Sequence, residues 1–141
     1  MKKTRHILIA AMMLPGLSLA GTISDGKVWQ SSHLQLELHE VGGVCLIRAG
    51  KSDAASIDVK LPGACQFHLN KHGVIREVKQ GKHLYLMIES ARKLPDSNDC
   101  ETHLRAVRVS GKRWQLSDFQ DKVASCPPFQ WDAMVFGALF K

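Results

Sequence analysis

Acidic residues are the first candidates for chemistry in this chain, because two neighbouring carboxylates can act as general acid and general base. Asp96, Asp99 and Glu101 form one group, and Asp118 and Asp121 form another. Both groups stand among polar, turn-forming residues, which predicts solvated loops. The Gly-x-Ser-x-Gly pattern that presents a serine nucleophile is absent from the sequence. We therefore expect a protein that is not an enzyme and that carries no cofactor.

Histidines are the second candidates, since imidazole is a common metal ligand. His68 and His72 have ligand-like spacing, but residues 70–73 predict a turn between them, and no third ligand stands nearby in sequence. His33 and His39 fall on the polar face of one predicted strand, about 20 Å apart, too far to share an ion. We expect ordinary surface histidines and no metal site.

Four cysteines, Cys45, Cys65, Cys100 and Cys126, lack the Cys-x-x-Cys spacing of redox or zinc sites. An even count in an exported chain indicates two disulfides. Three pairings are possible, and Cys45–Cys65 with Cys100–Cys126 is favoured because each pair brackets its own stretch of chain. Each bridge would contribute about 3 kcal/mol by restricting the unfolded chain.

The amino terminus has the pattern of a secretory signal peptide. A basic start, residues 1–6, precedes the apolar residues 7–17, and small residues follow at Ser18 and Ala20. The apolar stretch is shorter than the ~20 residues of a spanning helix. We expect cleavage after Ala20 and a periplasmic protein of residues 21–141 that is not embedded in the membrane. Gly21 stands where a lipid anchor would need cysteine.

Charge narrows the choice of partner. The formal net charge is +6, but Lys2, Lys3 and Arg5 belong to the predicted signal peptide, which leaves the exported chain near +3. Nucleic-acid binding would need Lys and Arg clustered along one element, so we expect no nucleic-acid partner. A mildly basic chain fits an acidic protein target better than it fits a strongly basic target.

The elements that must position these residues are strands, because apolar and polar residues alternate through most of the chain. Residues 33–41 alternate without a fault, and Gly42 and Gly43 then predict a hairpin turn. Without a linker or repeat, residues 21–141 form one domain. We predict a mainly all-β fold, an antiparallel sandwich or barrel of seven or eight short strands. The predicted strands cover residues 33–41, 44–48, 56–61, 64–69, 74–78, 83–89, 104–109 and 113–116.

The carboxyl-terminal residues 129–140 break this pattern and predict a short helix after Pro127 and Pro128. Apolar residues surround most of its circumference, so it is buried against the sheet, held in a contact with another chain, or laid on a membrane surface. Trp131, Val135 and Phe136 are the candidate residues for such a contact, including a possible homodimer.

Two exposed segments are candidate binding loops. Residues 94–100 are acidic, stiffened by Pro95 and tied down by Cys100, which lowers the ordering cost of binding through Asp96 and Asp99. The second candidate is Ser110-Gly111-Lys112-Arg113-Trp114.

That second segment resembles the Ser-Gly-x-Arg-Tyr signature of the periplasmic inhibitors of c-type lysozyme, with Trp114 in place of the tyrosine. The resemblance implies that Ser110 inserts into the cleft of the target enzyme and that Arg113 supports it. The family's Tyr-x-Cys near the start and its later Trp-x-Lys-Gly are missing here. The predicted architecture is also similar to that of the invertebrate-type lysozyme inhibitors and of the carbapenem intrinsic-resistance proteins.

These observations favour an inhibitor or immunity protein that neutralises a cell-wall hydrolase or a toxin. Two alternatives are an accessory or structural subunit of an envelope complex and an antibiotic-protective protein that binds a small molecule. An inhibitor requires a rigid exposed loop, an accessory subunit requires an exposed apolar patch, and a small-molecule binder requires a closed concavity of ~300 Å³ or more.

Overall fold

Two antiparallel sheets form in the computed structural model, which describes residues 25–50 and 55–140. The predicted signal peptide, residues 1–20, and its cleavage site after Ala20 lie outside the described residues.

The first sheet has the strand order β1-β2-β3-β4. Its strands are β1 (Val28–Gln30), β2 (Gln35–Val41), β3 (Val44–Ala49) and β4 (Ile57–Pro62). Gly42 and Gly43 both adopt positive φ angles, 58° and 78°, which only glycine adopts freely, so the hairpin turns at the predicted place.

The second sheet has the order β5-β7-β8-β9, with β6 also paired to β7. Its strands are β5 (Gln66–Phe67), β6 (Val78–Gln80), β7 (His83–Lys93), β8 (Cys100–Ser110) and β9 (Arg113–Val123). The last three are eleven residues each and carry most of the strand pairing. A bulge interrupts β9 opposite Ala106, where the backbone N–H of Ala106 donates to the Ser117 hydroxyl.

The main core lies between the two sheets. Leu36 and Ile47 from the first sheet and Leu86, Ile88 and Val107 from the second are fully buried there. Each such side chain contributes about 1.5–3 kcal/mol when it leaves water. The structure therefore confirms the predicted all-β class, as a sandwich with a short terminal helix.

The carboxyl-terminal segment covers the outer face of the second sheet. Its helix α1 (Ala133–Ala138) is capped by the Asp132 carboxylate, which accepts from the Met134 backbone N–H. Phe136 is fully buried in a second core layer together with Met87 and Leu104. Since β7 is covered on both faces, residues 85–90 are buried without interruption.

Both predicted disulfides are confirmed. Cys45 of β3 is bonded to Cys65, which precedes β5, so this bridge ties the first sheet to the second. Cys100 at the start of β8 is bonded to Cys126, which follows β9. The Cα atoms of the two pairs lie 5.8 and 4.9 Å apart.

Several boundaries differ from the sequence-based expectation. The strand predicted at residues 74–78 is reduced to a single bridge between Leu69 and Ile75, and pairing resumes at β6. The short β1 was not predicted, and α1 is six residues long because residues 129–132 are irregular. The described residues contain no helix long and apolar enough to cross a membrane.

Candidate functional site

The turn of residues 111–112, which we call the β8–β9 turn, brings Ser110 and Arg113 together. Ser110 ends β8, Arg113 begins β9, and the two are paired in register. Gly111 has a φ of +62°, the left-handed geometry that a tight turn of this kind requires. The segment that resembles the lysozyme-inhibitor signature therefore forms the end of the β8–β9 hairpin, where residues 111–113 are exposed.

An open concavity of about 590 Å³ lies beside this turn. We call it the basic concavity, because three of the described residues that line it are cations and none of them is a carboxylate. Its lining residues are Lys82, His83, Arg108, Ser110, Arg113, Trp114 and Gln115.

Hydrogen bonds orient the Ser110 and Arg108 side chains that line the basic concavity. His83 Nδ1 lies 2.6 Å from the Ser110 hydroxyl oxygen. The Arg108 guanidinium donates to the Gln115 amide oxygen at 2.7 Å and stands 4.7 Å from the centre of the Phe140 ring. Arg108 is thereby fixed in direction before any partner arrives.

The positive charge of the basic concavity is not neutralised from within the described part of the chain. Lys82, Arg108 and Arg113 take part in none of the ion pairs found there. Grouped cations without carboxylates repel one another and attract anions, so the arrangement is suited to bind an oxyanion.

The acidic loop, residues 94–99, lies at the other end of the same strands. Asp96 and Asp99 are exposed, and the loop is closed by a hydrogen bond of 3.0 Å from the Leu94 N–H to the Asp99 carbonyl. The eleven residues of β8 separate this loop from Ser110 by about 35 Å. The structure does not bring the two predicted binding loops together.

The predicted contact residues of the tail have different environments. Trp131 and Phe136 are 6% and 0% exposed, packed against the sheet of their own chain, and Val135 is half-buried. Large apolar side chains that this segment does expose are Phe129 and Met134. An interface role for Trp131, Val135 and Phe136 stays a prediction.

A buried polar cluster between β5, β7 and the tail was not predicted. The Glu89 carboxylate, 2% exposed, accepts from the Gln66 amide at 3.2 Å and from the Trp131 indole at 3.3 Å. His68 Nδ1 lies 3.0 Å from the same carboxylate, and His68 Nε2 is buried with no hydrogen-bond partner among the described residues. The expectation of a surface histidine was wrong for His68, because the carboxyl-terminal segment packs over it, with the ring centres of Trp131 and Phe136 6.3 and 6.2 Å from that of His68. The sequence offered one signal of this buried cluster, which is that Glu89 directly follows an apolar stretch.

Glu101, a candidate acid in the sequence, is a surface group with three basic neighbours. His103 and Lys122 lie 3.1 and 3.2 Å from its carboxylate oxygens, and Arg92 lies 3.5 Å away. Hydrogen bonds from His103 and Lys122 lower the pKa of Glu101 to about 2. Among residues 25–50 and 55–140, no group of three His, Cys, Asp or Glu side chains is placed to hold a metal ion.

Comparison of the chain with models of protein families, with curated proteins and with solved structures finds no match.

Proposed function

We propose that this protein is an exported, periplasmic binding protein that neutralises a cell-wall hydrolase or a toxin by covering its active-site cleft with the β8–β9 turn. The observation that carries the proposal is the placement of Ser110 and Arg113 side by side at the rim of the basic concavity.

The shape of this end of the molecule supports the proposal. Two strands of eleven residues, paired along most of their length, end in a turn of two residues, so the tip is narrow and its backbone is already ordered. A loop that is rigid before binding loses little conformational entropy when it enters a cleft. Export is supported by the two disulfides, which persist in oxidising compartments and are rare in the cytosol.

An accessory subunit of an envelope complex is the second candidate. Met134 is 73% exposed and Phe129 is 50% exposed, and both lie in the carboxyl-terminal segment. An accessory subunit would use exposed apolar side chains such as these within a contiguous contact patch.

The experiment is a pull-down from periplasmic extract and from mixtures of peptidoglycan hydrolases, with the oxidised protein as bait. Ser110→Ala and Arg113→Ala test the β8–β9 turn, and Asp96→Ala/Asp99→Ala tests the acidic loop at the opposite end. Lys93→Ala, an exposed cation at the far end of β7, is the control.

We expect capture of a hydrolase or toxin that either turn variant abolishes and that the control retains, with inhibition of the captured enzyme in an activity assay. Recovery of envelope structural proteins alone would instead favour the accessory subunit. Capture that depends only on Asp96 and Asp99 would move the contact to the acidic loop and contradict the proposed role of the turn.

A further inference from the structure

We infer that the basic concavity is a preformed oxyanion site and that it receives carboxylate side chains of an acidic protein partner. The identity of the partner as a protein rests on the proposed function. The oxyanion site itself rests only on the residues that line the concavity.

The described residues do not compensate the positive charge of the basic concavity. Lys82, Arg108 and Arg113 line it, and its described lining residues include no carboxylate. The described acidic groups that form ion pairs lie elsewhere, such as Glu37 on the first sheet and Glu101 near the far end of β8. Cations that line one concavity repel one another, and a bound anion relieves that repulsion.

The Arg108 side chain is oriented before an anion binds. A guanidinium has five N–H groups, and the one hydrogen bond found for Arg108 among the described residues is to Gln115. The Phe140 ring covers one side of the guanidinium and limits its rotation. The remaining N–H groups can meet the two oxygens of a carboxylate in the bidentate geometry that Arg favours.

The remaining walls of the basic concavity suit an acidic side chain. The Ser110 hydroxyl, held by His83, offers a further polar contact, and the half-buried Trp114 supplies an apolar surface. An aspartate or glutamate side chain has a carboxylate and a short apolar stem, so it uses both kinds of wall. The concavity, at about 590 Å³, is also larger than a single inorganic ion needs.

The distribution of charge along the second sheet favours an acidic partner. Asp96 and Asp99 lie at the end of the strands opposite the basic concavity, about 35 Å away by the length of β8. Arg92 and Lys93 stand beside these carboxylates, so that end carries charges of both signs, whereas the described lining of the basic concavity carries cations alone and is the part that an acidic surface attracts.

The test is a ¹H–¹⁵N NMR titration of the oxidised full protein with a short oligoglutamate peptide and, separately, with inorganic phosphate, at constant ionic strength. Arg108→Gln and Arg113→Gln remove one charge each from the concavity. Arg92→Gln, which removes the same charge near the far end of β7, is the matched control. Arg113 is exposed and pairs at a strand end, so its variant stays informative if Arg108→Gln fails to fold.

We expect oligoglutamate to shift the amides of Gly111 and Arg113 and the indole N–H of Trp114. Arg108→Gln and Arg113→Gln should each lower the affinity for oligoglutamate about tenfold, as the loss of one charge-assisted hydrogen bond does. Arg92→Gln should leave that affinity unchanged. Absence of these shifts, or an equal loss in Arg92→Gln, overturns the inference. Binding of phosphate without binding of oligoglutamate also overturns it, in favour of a phosphate-bearing ligand.

Failure of the proposed function gives a different result. Oligoglutamate binding that depends on Arg108 and Arg113, together with a pull-down that captures no hydrolase or toxin, supports the oxyanion site and refutes the inhibitor role. Capture of a hydrolase that Ser110→Ala abolishes and Arg108→Gln leaves undiminished supports the inhibitor role and refutes the basic concavity as its contact.

Discussion

Replacement of Glu89 by leucine tests the buried polar cluster, because leucine keeps most of the side-chain volume and removes the acceptor. The indole N–H of Trp131 and one N–H of the His68 ring would then be buried without a partner. The Gln66 amide is half-buried and can turn to water. Each orphaned buried donor costs about 1–3 kcal/mol, so we expect Glu89→Leu to lower the free energy of unfolding by about 2–6 kcal/mol.

The assay is urea unfolding of the oxidised protein at neutral pH. With a slope of about 2 kcal/mol per molar urea, the middle of the usual range, the expected loss lowers the midpoint by about 1–3 M. Glu37→Leu is the matched control, because Glu37 pairs with Arg48 at 2.9 Å on the outer face of the first sheet, where such a pair contributes about 0–1 kcal/mol.

A second variant separates orphaned donors from general damage to the core. Adding His68→Leu to Glu89→Leu removes one orphaned donor at nearly constant side-chain volume, so part of the lost stability should return. The reasoning is refuted if Glu89→Leu costs no more than Glu37→Leu, or if the double variant is less stable than Glu89→Leu alone.

Two further predictions concern the far end of the second sheet. Cys100→Ser/Cys126→Ser opens a loop with a sequence separation of 26 and should lower the free energy of unfolding by about 3 kcal/mol, measured by urea unfolding; an unchanged midpoint would contradict it. Because the pKa of Glu101 is lowered to about 2 from 4.5, its ionised form stabilises the fold above pH 4.5, and this contribution is lost as the pH falls towards 2. A ¹³C titration of the carboxyl group should show the low pKa, and His103→Ala should raise it; a wild-type midpoint near 4.5 would refute the assignment.

Patterns of short range predicted much of the fold. The alternation at β2 and the glycine pair after it define a hairpin within one stretch of sequence, so no distant information was needed. The disulfide pairing that the sequence favoured among three possible ones is the one that forms, in which each cysteine bonds the next cysteine along the chain. Residues 74–78 were also predicted as a strand, yet within them pairing is limited to the isolated bridge at Ile75 and to Val78 at the start of β6, because a strand also needs a neighbouring edge to pair with.

The candidate site was predictable only in part. Ser110 and Arg113 were found together because they flank one turn. Lys82 and His83 line the same concavity because β7 pairs with β8, which the sequence did not show. Arg108 lines it because it lies on the same face of β8 as Ser110.

Sequence by itself determined the alternating strands and the turns, since these depend on residues close together in the chain, and it favoured one of three possible cysteine pairings, the one that forms. Tertiary structure alone decided that the tail covers the second sheet, that His68 and Glu89 are buried, and that the acidic loop and the basic concavity occupy opposite ends. The physical reason is that burial and local charge depend on which surfaces pack together, and strand register and sheet order set those contacts over separations that no local pattern records.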